Sequence, residues 1–237
     1  MNERIQKILS RAGYGSRRAC EKLISSNRVK VNGEYVELGG KADEAVDDIA
    51  VDDHHLQYKP LEHIYIAFNK PSGILSEIYS TPRDKTVRDF IPLPDYLFIV
   101  GRLDKDSEGL ILLTNDGELA NQLTHPRYEH EKEYQVLVKR EPDEKQLTAL
   151  RKGIILQDGE RTAPAKVSLF EKSNAGFWLK IILHEGRKRQ IREMGTMIGL
   201  PVLRIIRTRI GHLELNNLKP GEWRKLTEAE INKTKTR

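Results

Sequence analysis

The 237-residue sequence has a single cysteine, Cys20, and that scarcity excludes two architectures at once. One thiol cannot build an internal disulfide framework, and it leaves too few thiolates for a zinc cluster. Cys20 is read as a small, partly buried side chain on a helix. No apolar run approaches the roughly 20 residues that a membrane span needs. The opening MNERIQKILS carries Glu3, Arg4 and Lys7 where a secretory signal requires an apolar stretch, so a cytoplasmic location is expected. There is also no phosphate-binding loop, dinucleotide fingerprint or metal-ligand cluster, and neither a metal nor a small-molecule cofactor is expected. Without heptads or an apolar surface stripe, the default state is a monomer.

What the sequence does contain is charge in blocks. The formal net charge is +5, but its placement says more than its sum. Residues 1–32 hold eight Lys or Arg against Glu3 and Glu21, whereas residues 33–58 set Lys41 against eight Asp or Glu. A second basic concentration lies in residues 181–210, where seven Lys or Arg face Glu185 and Glu193. Two separated basic surfaces suit a long anionic partner better than a small one.

Apolar spacing divides the chain into two parts. Ile5, Ile8, Leu9 and Ala12 recur at helical spacing up to Gly13, and Ser16 caps a second helix through Ser25 with Ala19, Leu23 and Ile24 inward. "RVKVNGEYV" reads as a hairpin turning at Asn32-Gly33. This small α/β module is expected to end near residue 60, with a boundary in the polar run "VDDHHLQYKP". From residue 61 strands dominate: "HIYIAFN", "LFIVG", "LILLTN", "EYQVLVK", "FWLKIIL" and "VLRIIRTRI". Helices are expected at "DGELANQLTH", capped by Asp116 and stopped before Pro126, at "DEKQLTALRKG" and at "RKRQIREMGTMIG". Mixed order without βαβ alternation predicts an α+β domain, residues 61–237, on a largely antiparallel mixed sheet with flanking helices, and residues 231–237 read as a frayed tail.

Between two apolar runs, residues 102–109 crowd Arg102, Asp104, Lys105, Asp106 and Glu108 into one turn. Three readings compete. The turn is solvated, its carboxylates satisfying backbone groups; or it binds calcium; or one carboxylate is catalytic, held at the end of a buried strand. Asp104, Asp106, Glu108 and Gly109 fit the start of a calcium loop, but the twelfth place is Asn115 where a bidentate Glu is needed, and "LILLT" is a strand. A paired-carboxylate hydrolase would use such acids too, so the turn alone names no reaction.

The wider context does. "GRLDKDSEGLILLTNDGELANQLTHP", then "EKEYQV", then "HEGRKRQIREM", resembles the signature series of the bacterial ribosomal pseudouridine synthases, in the branch that modifies small- and large-subunit ribosomal RNA. "KPSG" and "GEWRKLT" also match, so the resemblance runs from Ile64 to about Thr227. "RIQKILSRAGYGSRRACEKLISSNRVKVNG" resembles the S-four-type RNA-binding module that often precedes this catalytic domain.

The resemblance implies isomerisation of a uridine already in ribosomal RNA. The glycosidic bond breaks, the uracil turns, and a carbon–carbon bond joins it to the same ribose. The family's essential aspartate maps onto Asp104, a carboxylate able to act as nucleophile or base and to stabilise positive charge. Its ionic partner maps onto Arg192, with Arg189 three residues away on the same helical face for RNA phosphate. Because uracil in structured RNA must be flipped out, Arg102 is implied to fill the vacated space, Tyr134 to pack against the base and Leu203 to close the pocket. Lys70 begins a loop expected to line the cleft, while Asp106 and Glu108 shape the turn and His125 stops a helix. In the leading module Arg4, Lys7, Arg11, Arg17, Arg18 and Lys22, with Arg28 and Lys30 on the hairpin, are expected to face phosphate. "NDGELANQLTHPR" and "HEKEYQV" look closest to the large-subunit members. The rival class is a non-catalytic RNA-binding assembly factor on the same scaffold, against which the presence of Asp104, Tyr134 and Arg192 together argues.

Overall fold

The helices that follow Ser16, Asp116 and Asp143 start where a side chain satisfies free N–H groups of the first turn. In the computed structural model, which describes residues 2–57, 62–77, 83–92 and 97–235, the chain clusters into two compact units. One comprises Met1–His63 with Pro94–Leu97, the other Ile64–Leu93 with Phe98–Arg237. The expected boundary at Lys59-Pro60 lies outside the described residues.

The first unit runs β1 (Glu3–Arg4), α1 (Ile5–Arg11), α2 (Arg17–Ser25), β2 (Val29–Val31), β3 (Glu34–Tyr35), β4 (Lys41–Ala42), β5 (Ile49–Val51) and β6 (His54–His55). Ser16 Oγ accepts from Ala19 N at 3.2 Å and opens α2. Asn32 and Gly33 both have positive φ, 52° and 85°, as a two-residue hairpin turn of this hand demands. The sheet order is β3-β2-β5-β6, while β1 pairs with β4. Ile5, Ile8, Leu9, Ile24, Val29 and Ile49 form its core together with Cys20, which is fully buried rather than partly so.

The second unit continues with β7 (Tyr65–Lys70), β8 (Phe98–Val100), β9 (Glu108–Thr114), α3 (Gly117–Thr124), β10 (Lys132–Val138), α4 (Glu144–Lys152), β11 (Lys166–Ser173), β12 (Gly176–Leu183), α5 (Gln190–Met197), β13 (Val202–Ile210), β14 (Leu213–Glu214), β15 (Trp223–Lys225) and α6 (Glu228–Lys235). Its nine-stranded sheet has the path β11-β12-β10-β13-β9-β7-β15, with β14 on β13 and β8 on β9. Every pairing is antiparallel except β13 with β9. Asp116 caps α3 by accepting from Glu118 N and Leu119 N, and Asp143 caps α4 in a reciprocal box with Gln146. One apolar cluster joins β10, β12 and β13 to α4 and α5, and a second joins β7 and β9 to α3. The second unit is α+β, as expected. No helix among the described residues is long and apolar enough to cross a membrane.

Three expectations need correction. Residues 231–235 are not a frayed tail: α6 packs Ile231 on the second cluster, buries Thr234, and is held by Glu230 to Arg224 at 2.7 and 2.8 Å. Helix α5 starts at Gln190 and not at Arg187, because Arg189 takes the left-handed conformation, φ 54°. The buried Gln190 side chain fastens this start, accepting from Arg187 N and donating to Glu185. Finally, β11 has no counterpart among the expected strands; most of its residues are exposed, so it lacks the apolar alternation that marks a half-buried strand.

Candidate active site

The charged turn occupies the connection between β8 and β9, and its backbone is fastened from beneath. Ser76 Oγ donates to Leu103 O at 2.6 Å and accepts from Leu103 N at 3.0 Å. Lys70 Nζ donates to the carbonyls of Lys105 (3.1 Å), Ser107 (2.7 Å) and Pro71 (3.0 Å). Arg207 Nε donates to Leu110 O at 2.8 Å, and its Nη2 to Gly101 O. Lys70 and Arg207 are both fully buried. Desolvation lowers the Lys70 ammonium to about 8 and also draws the Arg207 guanidinium down. The expectation that Lys70 lines the cleft is corrected: it is an internal anchor, because β7 is buried along its whole length and carries the side chain inward.

Above these anchors the charges separate by partner. Lys105 pairs with Asp84 at 2.6 Å. Glu108 receives a two-point bond from Arg204, 2.7 Å on each oxygen. Asp106 is reached by Arg189 at 3.4 Å and by Arg192 at 3.2 Å. The half-buried Asp104 carboxylate and the exposed Arg102 guanidinium have no hydrogen-bond or ion-pair partner among the described residues.

Arg192 thus differs from expectation. Its carboxylate partner is Asp106 and not Asp104, since Nη2 binds both the Asp106 backbone oxygen (3.1 Å) and its side chain. Nη1 reaches Val202 O, and Nε is buried with no partner, an unused donor. Arg189 does not share a helical face with Arg192; it precedes α5, and its left-handed backbone carries its side chain to the same Asp106. Tyr134 lies on β10, 7% exposed in the first apolar cluster, directly opposite Arg207 on β13. Leu203 is 48% exposed on β13, unopposed where the register slips between Leu137 and Val138. His125 closes α3, and its ring Nδ1 accepts from Arg127 N.

The leading module divides similarly. Arg11 is tied to Glu3 and Glu44, Lys7 to Glu3, Arg28 to Asp52 and Lys30 to Asp53. Arg4, Arg17, Arg18 and Lys22 are exposed and have no acidic partner among the described residues. The acidic stretch after the hairpin therefore neutralises part of the basic set.

Sequence reasoning misses Arg207 and the anchoring role of Lys70. A signal for Arg207 is present: in "RIIRTRI" it stands two residues from Ile205, on the alternation that points into the core.

An unpaired aspartate on a braced turn and a separate module with unpaired arginines are features that an enzyme directed at a polyanion would need. Residues 64–195 match the family model described as RNA pseudouridylate synthase, and residues 3–41 match the S4 domain. The chain is 41% identical over 233 residues to ribosomal large subunit pseudouridine synthase B of Bacillus subtilis, covering 97% of this chain and 94% of that one. It is 42% identical over 234 residues to an uncharacterized RNA pseudouridine synthase of Aquifex aeolicus, covering 98% and 93%. A crystal structure of pseudouridylate synthase superposes with a TM-score of 0.70 at 32% identity, over 98% of this chain and 99% of that one. The chain belongs to the RNA pseudouridine synthase family and is an isomerase acting on RNA.

Proposed function

We propose that this enzyme converts a specific uridine of large-subunit ribosomal RNA to pseudouridine, in the cytoplasm, with Asp104 as the carboxylate that acts on the target nucleoside. The observation that carries the assignment of Asp104 is the partition of the turn: Asp106 and Glu108 are each committed to arginines, while Asp104 is unpaired and braced. The isomerisation breaks N1–C1′ and forms C5–C1′; C5 loses a proton and N1 gains one, so nothing is consumed. That balance needs a placed carboxylate and proton carriers from the protein or solvent. Arg192, with an unused buried Nε–H beside the turn, supplies positive charge to the site. Tyr134 offers a ring to the uracil, Leu203 an exposed apolar edge, and Arg102 a free planar cation for the space a flipped base leaves.

Large-subunit RNA is favoured by near-full-length similarity to a large-subunit synthase. The test maps pseudouridine in ribosomal RNA from cells lacking the gene and from cells restored with wild type or Asp104→Asn. One large-subunit site should vanish in the deletion and return with wild type only. Loss of a small-subunit site instead would move the substrate, and full restoration by Asp104→Asn would remove Asp104 from the chemistry.

A further inference from the structure

We propose that Arg207 is a positioning residue for the isomerisation, its guanidinium holding both ends of the Asp104 turn and Tyr134 in one rigid frame. The inference rests on the assignment of Asp104 and Tyr134 to the reacting nucleoside.

The first observation is that Arg207 should not be where it is on grounds of stability. It is 1% exposed, and no carboxylate pairs with it among the described residues. Burying an unpaired cation is costly, and apolar residues of similar volume commonly serve a core as well or better. Desolvation indeed weakens its charged form, and Tyr134 is the side chain that favours it. Its own charge further disfavours the ammonium of the buried Lys70 and that of the half-buried Lys132. A residue kept against such penalties is kept for what it holds.

What it holds is specific. Gly101 and Leu110, whose carbonyls accept from Arg207, flank the segment that carries Asp104. The planar guanidinium reaches the two carbonyls from two separate nitrogens held in a fixed fork, Leu110 O from Nε and Gly101 O from Nη2. Two glycines are shaped to the same residue. Gly101, φ 71°, lies against the guanidinium, so that an added Cβ would sit 3.4 Å from both Nη atoms. Gly109, φ 107°, pairs with Arg207 across the parallel β9–β13 contact, and a Cβ there would strike the Arg207 backbone. On the other side of β13, the register slips between Glu133 and Tyr134: Glu133 faces Arg209, Tyr134 faces Arg207, and Thr208 is left over. That bulge sets the Arg207 and Tyr134 side chains across from one another. The aromatic residue thus stands directly opposite the same buried cation that holds the turn, although the two arise from different strands.

The test compares Arg207→Met, Arg207→Lys and Asp104→Asn with wild type in the full-length protein. It uses single-turnover pseudouridine formation on a ribosomal RNA transcript containing the target site, the Kd for that RNA, and the thermal midpoint. Arg207→Met should lower the rate at saturating RNA by about 100-fold or more while Kd stays within about threefold, and Arg207→Lys should recover about five- to tenfold of that loss, remaining about tenfold or more below wild type. A role confined to folding would lower the thermal midpoint of both variants and leave the rate of the folded protein near wild type. That result overturns the proposal. If Arg207→Met does not fold, Arg207→Lys decides alone: a rate within about twofold of wild type at unchanged Kd rejects positioning, and a larger fall, of about tenfold, supports it. Retention of the wild-type rate by Asp104→Asn would instead fault the reading of Asp104, whatever the Arg207 variants do.

Discussion

At the scale of single residues, the turn that carries Asp104 is braced by two buried cations, Lys70 and Arg207. Lys70 has exchanged its hydration for three backbone carbonyls, and the desolvated ammonium titrates at about 8 against 10.5 for an exposed lysine. Between these values the unfolded chain binds the proton more firmly than the folded one, so Lys70 makes stability rise with pH through that window. Below about 8 the desolvation penalty is present in full. Lys70→Met has no such titration, although it leaves three carbonyls facing a methyl group and is destabilised at neutral pH by about 2–4 kcal/mol. Urea unfolding at about pH 7.5 and about pH 9.5, on either side of most of that window, checks the sign: wild type should gain stability relative to Lys70→Met at the higher pH. A constant difference would mean that Lys70 titrates normally. Lys70 is not readable as an anchor, because sequence patterning treats a charged side chain as a surface one, whereas the burial of Arg207, though not what it holds, can be read from its in-phase spacing with Ile205. Roles for Asp104, Tyr134 and Leu203 are suggested only by the order of whole motifs; Leu203 in isolation reads as ordinary core, yet it is half exposed.

At the scale of elements, legibility follows apolar periodicity. β7, β9, β10, β12 and β13 carry long apolar runs, and α2, α3 and α4 carry their own caps, so all are visible in the sequence. β11 and α6 are not, since one is an exposed edge strand and the other a charged helix docked through few apolar contacts. The start of α5 is hidden for a different reason: its N-terminus is fixed by Gln190 and Glu185 and by a left-handed Arg189, none of which leaves a periodic trace. The docking of α6 gives an element-level prediction. Glu230 is held at about 2 by its hydrogen bonds from Arg224, aided by Thr227 N, so this interaction contributes above the ordinary carboxylate range and fades as pH falls from about 4.5 towards 2. Glu230→Gln should cost about 1 kcal/mol near neutrality, or about 2–4 °C in thermal midpoint, with the difference from wild type shrinking at about pH 3. An equal difference at both pH values would show that the ion pair is not what docks the helix.

At the scale of the whole molecule, the two compact units differ in how their positive charge is committed. The second unit commits many of its cations internally: Arg204 to Glu108, Arg209 to Glu131, Arg189 and Arg192 to Asp106, and Arg207 to backbone. In the first unit the pairing is selective, because the acids of residues 44–53 occupy Arg11, Arg28 and Lys30 and leave Arg4, Arg17, Arg18 and Lys22 unpaired. Only a cation not already neutralised gains fully from phosphate, so net charge by segment overstates the RNA-binding set. Each phosphate that the protein ceases to neutralise should reduce the slope of log K against log salt by about 0.7–0.9. Replacing Arg17, Arg18 and Lys22 together with Ala should therefore flatten the slope by about 2 and weaken binding at low salt far more than at high salt. Replacing Lys7 and Arg28, which are already paired, should change the slope by less than about half as much. RNA affinity measured from about 50 to about 300 mM salt separates the two sets, and equal flattening by both would show that RNA strips the internal ion pairs and recruits the whole basic surface. Single-turnover rate at saturating RNA should be unchanged in both, if these side chains serve binding and the reacting groups are those proposed on the braced turn and β10.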